Sequence, residues 1–255
     1  MNDVQTPVTA DAQPAVALPE FSKLPDKAPE FDLTLLLEAG CHFGHHKSKW
    51  HPKMQEWIYA EKDGVHIFDL VKTAAQMKLA YNLAYHLGAT GKTMIVVGTK
   101  RQASGVLAEL LKTHTFMNIT ARWLGGMLTN WPQVHRSLQK MLDIEKGLET
   151  DKFKGYTKYE VVQLEKEMTR LKRFFDGVRD LKKKPDCLFV IDPKKEKNVI
   201  KEANVEGVPV IALTDSNTNP DGVDIVIPAN DDAVKSISFI AEAIINGYEA
   251  GKKEA

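Results

Sequence analysis

The sequence predicts an α/β protein: a doubly wound, mainly parallel five-stranded sheet, interrupted once by an antiparallel coiled-coil helical hairpin. Three features of the chain point there. Met94, Ile95, Val96 and Val97 are apolar without alternation, as in a strand buried on both faces, and residues 187–191 and 208–213 read the same way. Such a run gives way at a turn to apolar residues at helical spacing, as with Ala103, Val106, Leu107 and Leu110 beyond Gly98. Later the spacing becomes three and four, through Val161, Leu164, Met168, Leu171, Phe175 and Val178, which is a coiled-coil seam.

With 255 residues, 43% of them hydrophobic, the chain has a core for one domain and room for a smaller second unit. No apolar run approaches the ~20 residues that cross a bilayer, and no charged-then-apolar leader opens the sequence, so a soluble cytoplasmic protein is expected. Cys41 and Cys187 stand far apart and read as reduced thiols. The formal net charge is zero, yet residues 92–140 hold seven Lys/Arg against the single acid Glu109. From Asp186 onward the count is seven Lys/Arg against thirteen Asp/Glu. One side of a neutral molecule can then be cationic and face nucleic acid, unless the segregated charges interleave in space.

In chain order, residues 1–31 carry Pro7, Pro14, Pro19, Pro25 and Pro29 among small and polar residues, and read as a mobile tail. Asp32 suits an N-cap, Leu33, Leu36 and Leu37 form a helical stripe, and Gly40 fits just past the helix end. Residues 41–54 read as a basic, aromatic loop. Runs at 57–59 and 65–70 flank Asp63-Gly64, a hairpin turn dipeptide. A helix with Ala75, Leu79, Leu83 and Leu87 on one face follows, then the strand at 94–97, its helix, and a strand at 118–121. Residues 122–130 suggest a tight loop with Trp123 in the core and Arg122 and Asn130 outward. Pro132 opens the first hairpin helix, marked by Val134, Leu138, Met141 and Leu148, and a polar break at 149–157 precedes the second. The sheet resumes with a strand at 187–191, a helix at 196–204, strands at 208–213 and 224–227, and a helix at 233–248. The domains are therefore a tail at 1–31, an α/β unit at 32–130 and 185–249, a hairpin at 131–184, and a tail at 250–255.

Chemistry concentrates where the first parallel strand ends. There Thr99, Lys100 and Arg101 stand beside backbone amides at a helix start, a setting for phosphate. No nucleotide loop is present: Gly91-Lys92-Thr93 precedes the strand, with His86 where the earlier glycine belongs, and Lys100 replaces the second glycine of a dinucleotide fingerprint. The stretch 41–54 mixes Cys41, His42, His45, His46 and His51 with Lys47, Lys49, Lys53 and Trp50. Zinc is one reading, but the ligand pairs of a structural site are lacking. Lysines on phosphate with rings stacking or packing is another, and a surface loop covering the core is a third. The loop 215–221 lacks the glycine and glutamate of a calcium loop, with Pro220 and Val226 in their places. Lys182, Lys183 and Lys184 could touch phosphate or form a solvated face. No nucleophile elbow or zinc-protease helix occurs. The expected phosphate contacts are Lys47, Lys49, Lys53, Lys100, Arg101 and Arg122, with Asn130 beside them, and no cofactor or metal. The competing reading is a sugar-phosphate or nucleotide enzyme using the turn at Thr99 as a cradle.

Several blocks resemble one family. These are Leu36-Leu37-Glu38-Ala39-Gly40, His42-Phe43-Gly44-His45, Trp50-His51-Pro52-Lys53-Met54, His66-Ile67-Phe68-Asp69-Leu70, Val97-Gly98-Thr99-Lys100, Arg122-Trp123-Leu124-Gly125-Gly126-Met127-Leu128-Thr129-Asn130, Pro185-Asp186, Ile191-Asp192-Pro193, and Pro228 with Asn230-Asp231-Asp232-Ala233. In this order they resemble the bacterial small-subunit ribosomal protein S-two family. Lys62, Ala229, Ser216 and Thr218 depart from its usual wording. The resemblance implies a flavodoxin-like domain with a coiled-coil hairpin, bound to small-subunit ribosomal RNA between head and body. It also implies contact with neighbouring small-subunit proteins, help in docking the messenger-binding protein S-one, a cytoplasmic ribosomal location, no membrane, no enzymatic activity and no homo-oligomer.

Overall fold

The computed structural model describes residues 24–150 and 153–254. Its first residues lie along the core. Leu24 and Phe31 pack against buried apolar side chains, with the Phe31 ring 6.5 Å from that of Tyr81. The buried amide of Asn82 accepts from Lys27 N at 2.9 Å and donates to Asp26 at 3.2 Å. So residues 24–31 of the expected mobile tail are docked, because two large apolar side chains and a buried amide in need of partners hold them there. The rest of that expectation, residues 1–23, lies outside the described residues.

Helix α1 (Leu33–Glu38) is capped by Asp32, whose side chain accepts from Thr34 N. Strand β1 (Phe43–His46) follows, then 3-10 turns at Lys47–Lys49 and Pro52–Trp57, β2 (Ile58–Lys62), β3 (Val65–Phe68) and α2 (Leu70–Ala89). The stretch 41–54 is thus not all loop. β1 pairs antiparallel with β3, matching Phe43 to Ile67 and His46 to Val65, and completes a small sheet ordered β1-β3-β2. The β2–β3 hairpin turns on Asp63 and Gly64, with φ of 53° and 77°. Positive φ at both central residues matches the twist of the flanking strands and favours Asp-Gly.

The larger sheet holds β4 (Met94–Val97), β5 (Met117–Ile119), β6 (Cys187–Ile191), β7 (Val210–Thr214) and β8 (Ile225–Pro228), all parallel, in the order β5-β4-β6-β7-β8. That order is flavodoxin-like, with its switch point between β4 and β6. The connections are α3 (Arg101–Leu110), α4 (Trp131–Glu149), α5 (Lys158–Phe175) and α6 (Lys197–Glu206), and α7 (Val234–Glu254) closes the chain. Side chains alternate between two cores along each strand. Met94, Val96, Phe189, Ile191, Ile211 and Leu213 pack with α2, α3 and α7 on one face. Ile95, Val97, Leu188, Val190, Val210 and Ala212 pack with α4, α5 and α6 on the other.

Among the boundaries that differ from those expected, three bear on the site and on the end of the chain. β5 ends at Ile119 rather than Ala121, which sets Arg122 three residues beyond the strand end. α6 starts at Lys197, leaving Glu196 as its cap residue. α7 continues to Glu254, so residues 250–254 are helix and not tail, since Tyr248 and Gly251 are buried. Helices α4 and α5 pack on each other, with Lys140 2.7 Å from Glu167 and Lys172 2.5 Å from Glu145. Val134, Leu138, Met141, Leu171 and Phe175 join the sheet core, while Val161, Leu164 and Met168 are half-buried. Of the connection between the two helices, residues 151 and 152 lie outside the described residues.

Candidate nucleic-acid interface

The carboxyl ends of β4, β5 and β6 lie side by side, because Val97 pairs with Ile119 and with Val190. Beyond them stand Thr99, Lys100 and Arg101, then Arg122, then Asp192, Lys194, Lys195 and Lys197. In an open α/β sheet this edge holds the ligand. Here the molecule's own side chains occupy it.

Lys100 departs furthest from the expected role. Its Nζ lies 2.7 Å from Asp231, 2.6 Å from Asp232 and 3.6 Å from Asp192, with 16% of the side chain exposed. The charges of the basic middle and the acidic carboxyl-terminal third therefore interleave at this point. Burial alone would lower the lysine pKa. Hydrogen bonds to Asp231 and Asp232 and the charges of Asp231 and Asp192 outweigh it and hold the ammonium well above its usual range. Burial and the like charges of Asp192 and Asp215 push Asp231 upward against the pull of Lys100. Beside it, Thr99 donates to buried Glu196, whose carboxyl burial also raises, and Lys195 donates to the Thr99 carbonyl at 2.9 Å. Asp192 adopts a φ of 62°, a left-handed conformation that Asp tolerates, and this turns its carboxylate towards Lys100.

The loop after β7 clamps β1 onto this cluster. His45 N donates to Asp215 at 3.1 Å and to Ser216 Oγ at 2.8 Å, and His51 N donates to the Ser216 carbonyl at 2.7 Å. The His45 ring reaches Asp215 through Nδ1 at 3.0 Å and Asp232 through Nε2 at 3.4 Å. A hydrogen bond to Asp215 raises its pKa, burial opposes this, and the charges of Asp215, Asp231 and Asp232 add to the rise. The stabilisation from charged His45 is complete below its unfolded value and is lost as pH rises through the folded one. Urea denaturation of the wild type should show stability falling on the alkaline side of pH 6.5. His45→Gln, which cannot charge, should flatten that slope; an unchanged slope would assign the pH dependence elsewhere.

His45, Asp231 and Asp232 bring possible metal-ligand atoms within 4.8 Å of one another, but the Lys100 ammonium already supplies a cation to both aspartates. Cys41, the other candidate ligand in that stretch, is fully buried in the core and is a free thiol, as is Cys187. Burial pushes both thiols up.

The remaining expected contacts divide. Lys47 is exposed and 2.7 Å from Glu61, and Lys53 pairs with Asp221. Lys49, Arg101 and Arg122 are exposed and make no ion pair among the described residues. Asn130 is exposed and stands at the N-cap position of α4, but its side chain makes no capping bond. Of the triple lysine, Lys183 lies 3.0 Å from Asp186 and Lys184 2.5 Å from Glu206, so two of its charges are compensated. Sequence reasoning missed Lys194 and Lys197, both exposed without ion pairs, because they lie in the acidic third. It also missed Glu202 on α6, which holds the loop 122–130. Its carboxylate accepts from Trp123 Nε1 at 3.1 Å, Gly126 N at 2.9 Å, Leu128 N at 3.0 Å and Thr129 N at 3.4 Å. Burial would raise its pKa, but these donors hold it below the usual carboxylate range. Trp123, 5% exposed, belongs to the core.

The class the fold defines is an α/β protein with a flavodoxin-like sheet, its crevice filled by its own ion pairs and its rim carrying cations that make no ion pair among the described residues. The chain belongs to the Ribosomal protein S2 family, whose model matches residues 36–251. It is accordingly a structural protein of the small ribosomal subunit, acting in translation within a ribonucleoprotein. No helix among the described residues is long and apolar enough to cross a membrane.

Proposed function

We propose that the protein binds small-subunit ribosomal RNA through the carboxyl edge of its parallel sheet, without catalysing a reaction there. The observation that carries this reading is a division of charge by depth. Asp192, Glu196, Asp215 and Asp231 are buried, whereas Arg101, Arg122, Lys194 and Lys197 are exposed without ion-pair partners among the described residues. Acids turned inward and cations outward give a rim that meets phosphate oxygens and reads folded shape rather than bases. Lys49 and Asn130 extend it. Lys47 and Lys53 can exchange their exposed carboxylates for phosphate, since surface pairs contribute only ~0–1 kcal/mol. Lys100 serves a different purpose: it ties buried Asp192 and Asp231 to half-exposed Asp232 at the rim.

Against the competing enzyme reading stand the contacts by which Glu196 and Lys195 take up Thr99 and the aspartates take up Lys100. Filter binding of the full chain to small-subunit rRNA at graded salt tests the proposal. Affinity should fall steeply with salt, and Arg101→Ala with Arg122→Ala should reduce the log–log slope by about two, roughly one per phosphate contact. A wild-type titration without a salt slope would overturn it. Family membership further supports contacts with neighbouring small-subunit proteins, help in docking the S-one protein, and a bacterial cytoplasmic location. Subunits reconstituted without this chain should then retain less S-one protein on sedimentation.

A further inference from the structure

We propose that α1 and the adjoining start of β1 form a protein-docking patch, which takes a basic amphipathic segment of a neighbouring small-subunit protein. The inference rests on the reading of the chain as a ribosomal scaffold and gives its protein contacts a named surface. Leu33, Leu37 and Phe43 are 42%, 52% and 50% exposed, and Val71 is 63% exposed. Single exposed apolar residues are ordinary, but these belong to one place.

The fold brings them together. Leu33 and Leu37 stand one turn apart on α1 and share a face, while Leu36 beside them is fully buried and anchors the helix to the core. Gly40 N donates to the Leu37 carbonyl at 3.0 Å and Phe43 N to the Gly40 carbonyl at 3.4 Å, so the chain turns directly from α1 into β1. The Phe43 ring then lies 4.0 Å from where a Cβ at Gly40 would stand, and the His42 ring supports it at a centroid distance of 3.9 Å. Val71 arrives at the same end, because Phe68 N, at the end of β3, donates to the His42 carbonyl at 2.8 Å and α2 starts two residues later.

The charges around the patch select its occupant. Residues 28–46 contain no Lys or Arg, while Glu30, Asp32 and Glu38 are exposed and make no ion pair among the described residues. Lys27 before them is 3.8 Å from Glu254, and Lys72 beside Val71 turns to Asp69 at 4.0 Å. Burial lowers the pKa of His42, so its ring adds no charge near neutrality. An acidic rim repels RNA phosphate and anionic lipid alike. A second copy would set the same acids against each other across a two-fold axis. Residues 1–23 carry Asp3, Asp11 and Glu20 against Lys23 alone, and so repeat the sign of the rim. The complementary partner is an apolar segment edged with Lys or Arg.

The test places a photo-crosslinking benzoylphenylalanine at position 43 of the full chain, assembles the protein into small subunits, and identifies the adduct by mass spectrometry. The expected adduct is a peptide of another subunit protein in which Lys and Arg outnumber Asp and Glu. Glu30→Lys with Glu38→Lys, and separately Leu33→Ser with Leu37→Ser, should each lower the yield per assembled subunit about fivefold or more. Both variants should melt like the wild type, since the altered side chains are exposed, and should bind rRNA like the wild type in filter assays. An adduct with an acidic peptide, with rRNA, with residues 1–23 or with a second copy would overturn the patch, as would no adduct or an unchanged yield in the charge variant. Retained rRNA binding would in each case leave the edge contact standing.

Discussion

Gly251→Ala should cost about 3 kcal/mol and lower the melting temperature by roughly 10 °C, because there is no room for one methyl group between α2 and α7. A Cβ at Gly251 would lie 2.0 Å from the Tyr85 carbonyl oxygen and 2.9 Å from Ala89 N. At Gly88, on the facing helix, it would lie 2.2 Å from the Tyr248 carbonyl oxygen. In both cases the obstacle is backbone and cannot rotate away, so the helices must part. Parting them would loosen Ile240, Ala241, Ile244, Ile245 and Tyr248 from the core that carries Met94 and Val96. Gly88→Ala should therefore behave like Gly251→Ala. Gly105→Ala is the contrast: its added methyl meets nothing within 4 Å on the exposed face of α3, so helix propensity should stabilise the protein by about 0.5–1 kcal/mol. Thermal melts of the three variants decide the matter. A Gly251→Ala protein melting like the wild type would mean that the helix contact is looser than described.

Glu202→Ala should cost about 3 kcal/mol and release the loop bearing Arg122 and Asn130, since several backbone and indole donors lose one shared charged acceptor. The loop folds back against α6 only because that carboxylate collects its amides. Amide exchange at Gly126 and Leu128 should accelerate well before global unfolding. Glu202→Gln keeps an acceptor oxygen and should lose about half as much. The pH signs also differ. Glu202 titrates below its unfolded value, so its stabilisation is present above that value and is lost as pH falls through the folded one. The glutamine variant should lack this acid-side loss. Unchanged exchange at Leu128 in the alanine variant would show that the loop is held by its own packing, through Trp123 and Met127.

Rim and loop are coupled in this picture. The chain leaves β5 two residues earlier than the apolar pattern suggests, and Glu202 then holds the loop that follows Arg122. Lys100, three residues after β4, has the same chance of reaching solvent by sequence distance alone, yet three aspartates draw it inward. Arg101, the next residue, remains outside as the first residue of α3. Adjacent cations thus take opposite roles according to which strand ends face them.

The sequence by itself determined the elements whose cause is local. Unbroken apolar runs require strands covered on both faces, the spacing from Ile237 to Ile245 requires a helix with one buried face, and Asp63-Gly64 supplies the positive φ of a primed turn. It also determined the family, through blocks spread from Leu36 to Ala233. Tertiary structure alone decided what depends on partners distant in the chain. β1 is a strand because β3 pairs with it and Asp215 and Ser216 bind its His45 amide, 170 and 171 residues away. Residues 24–31 dock because Asn82 and the core receive them, and α7 outruns its expected end because α2 covers it. Charges counted along the chain said nothing of depth. Electrostatic interaction depends on distance and burial in three dimensions, so only the fold could turn Lys100 towards Asp231 and leave Arg122 and Lys194 facing outward.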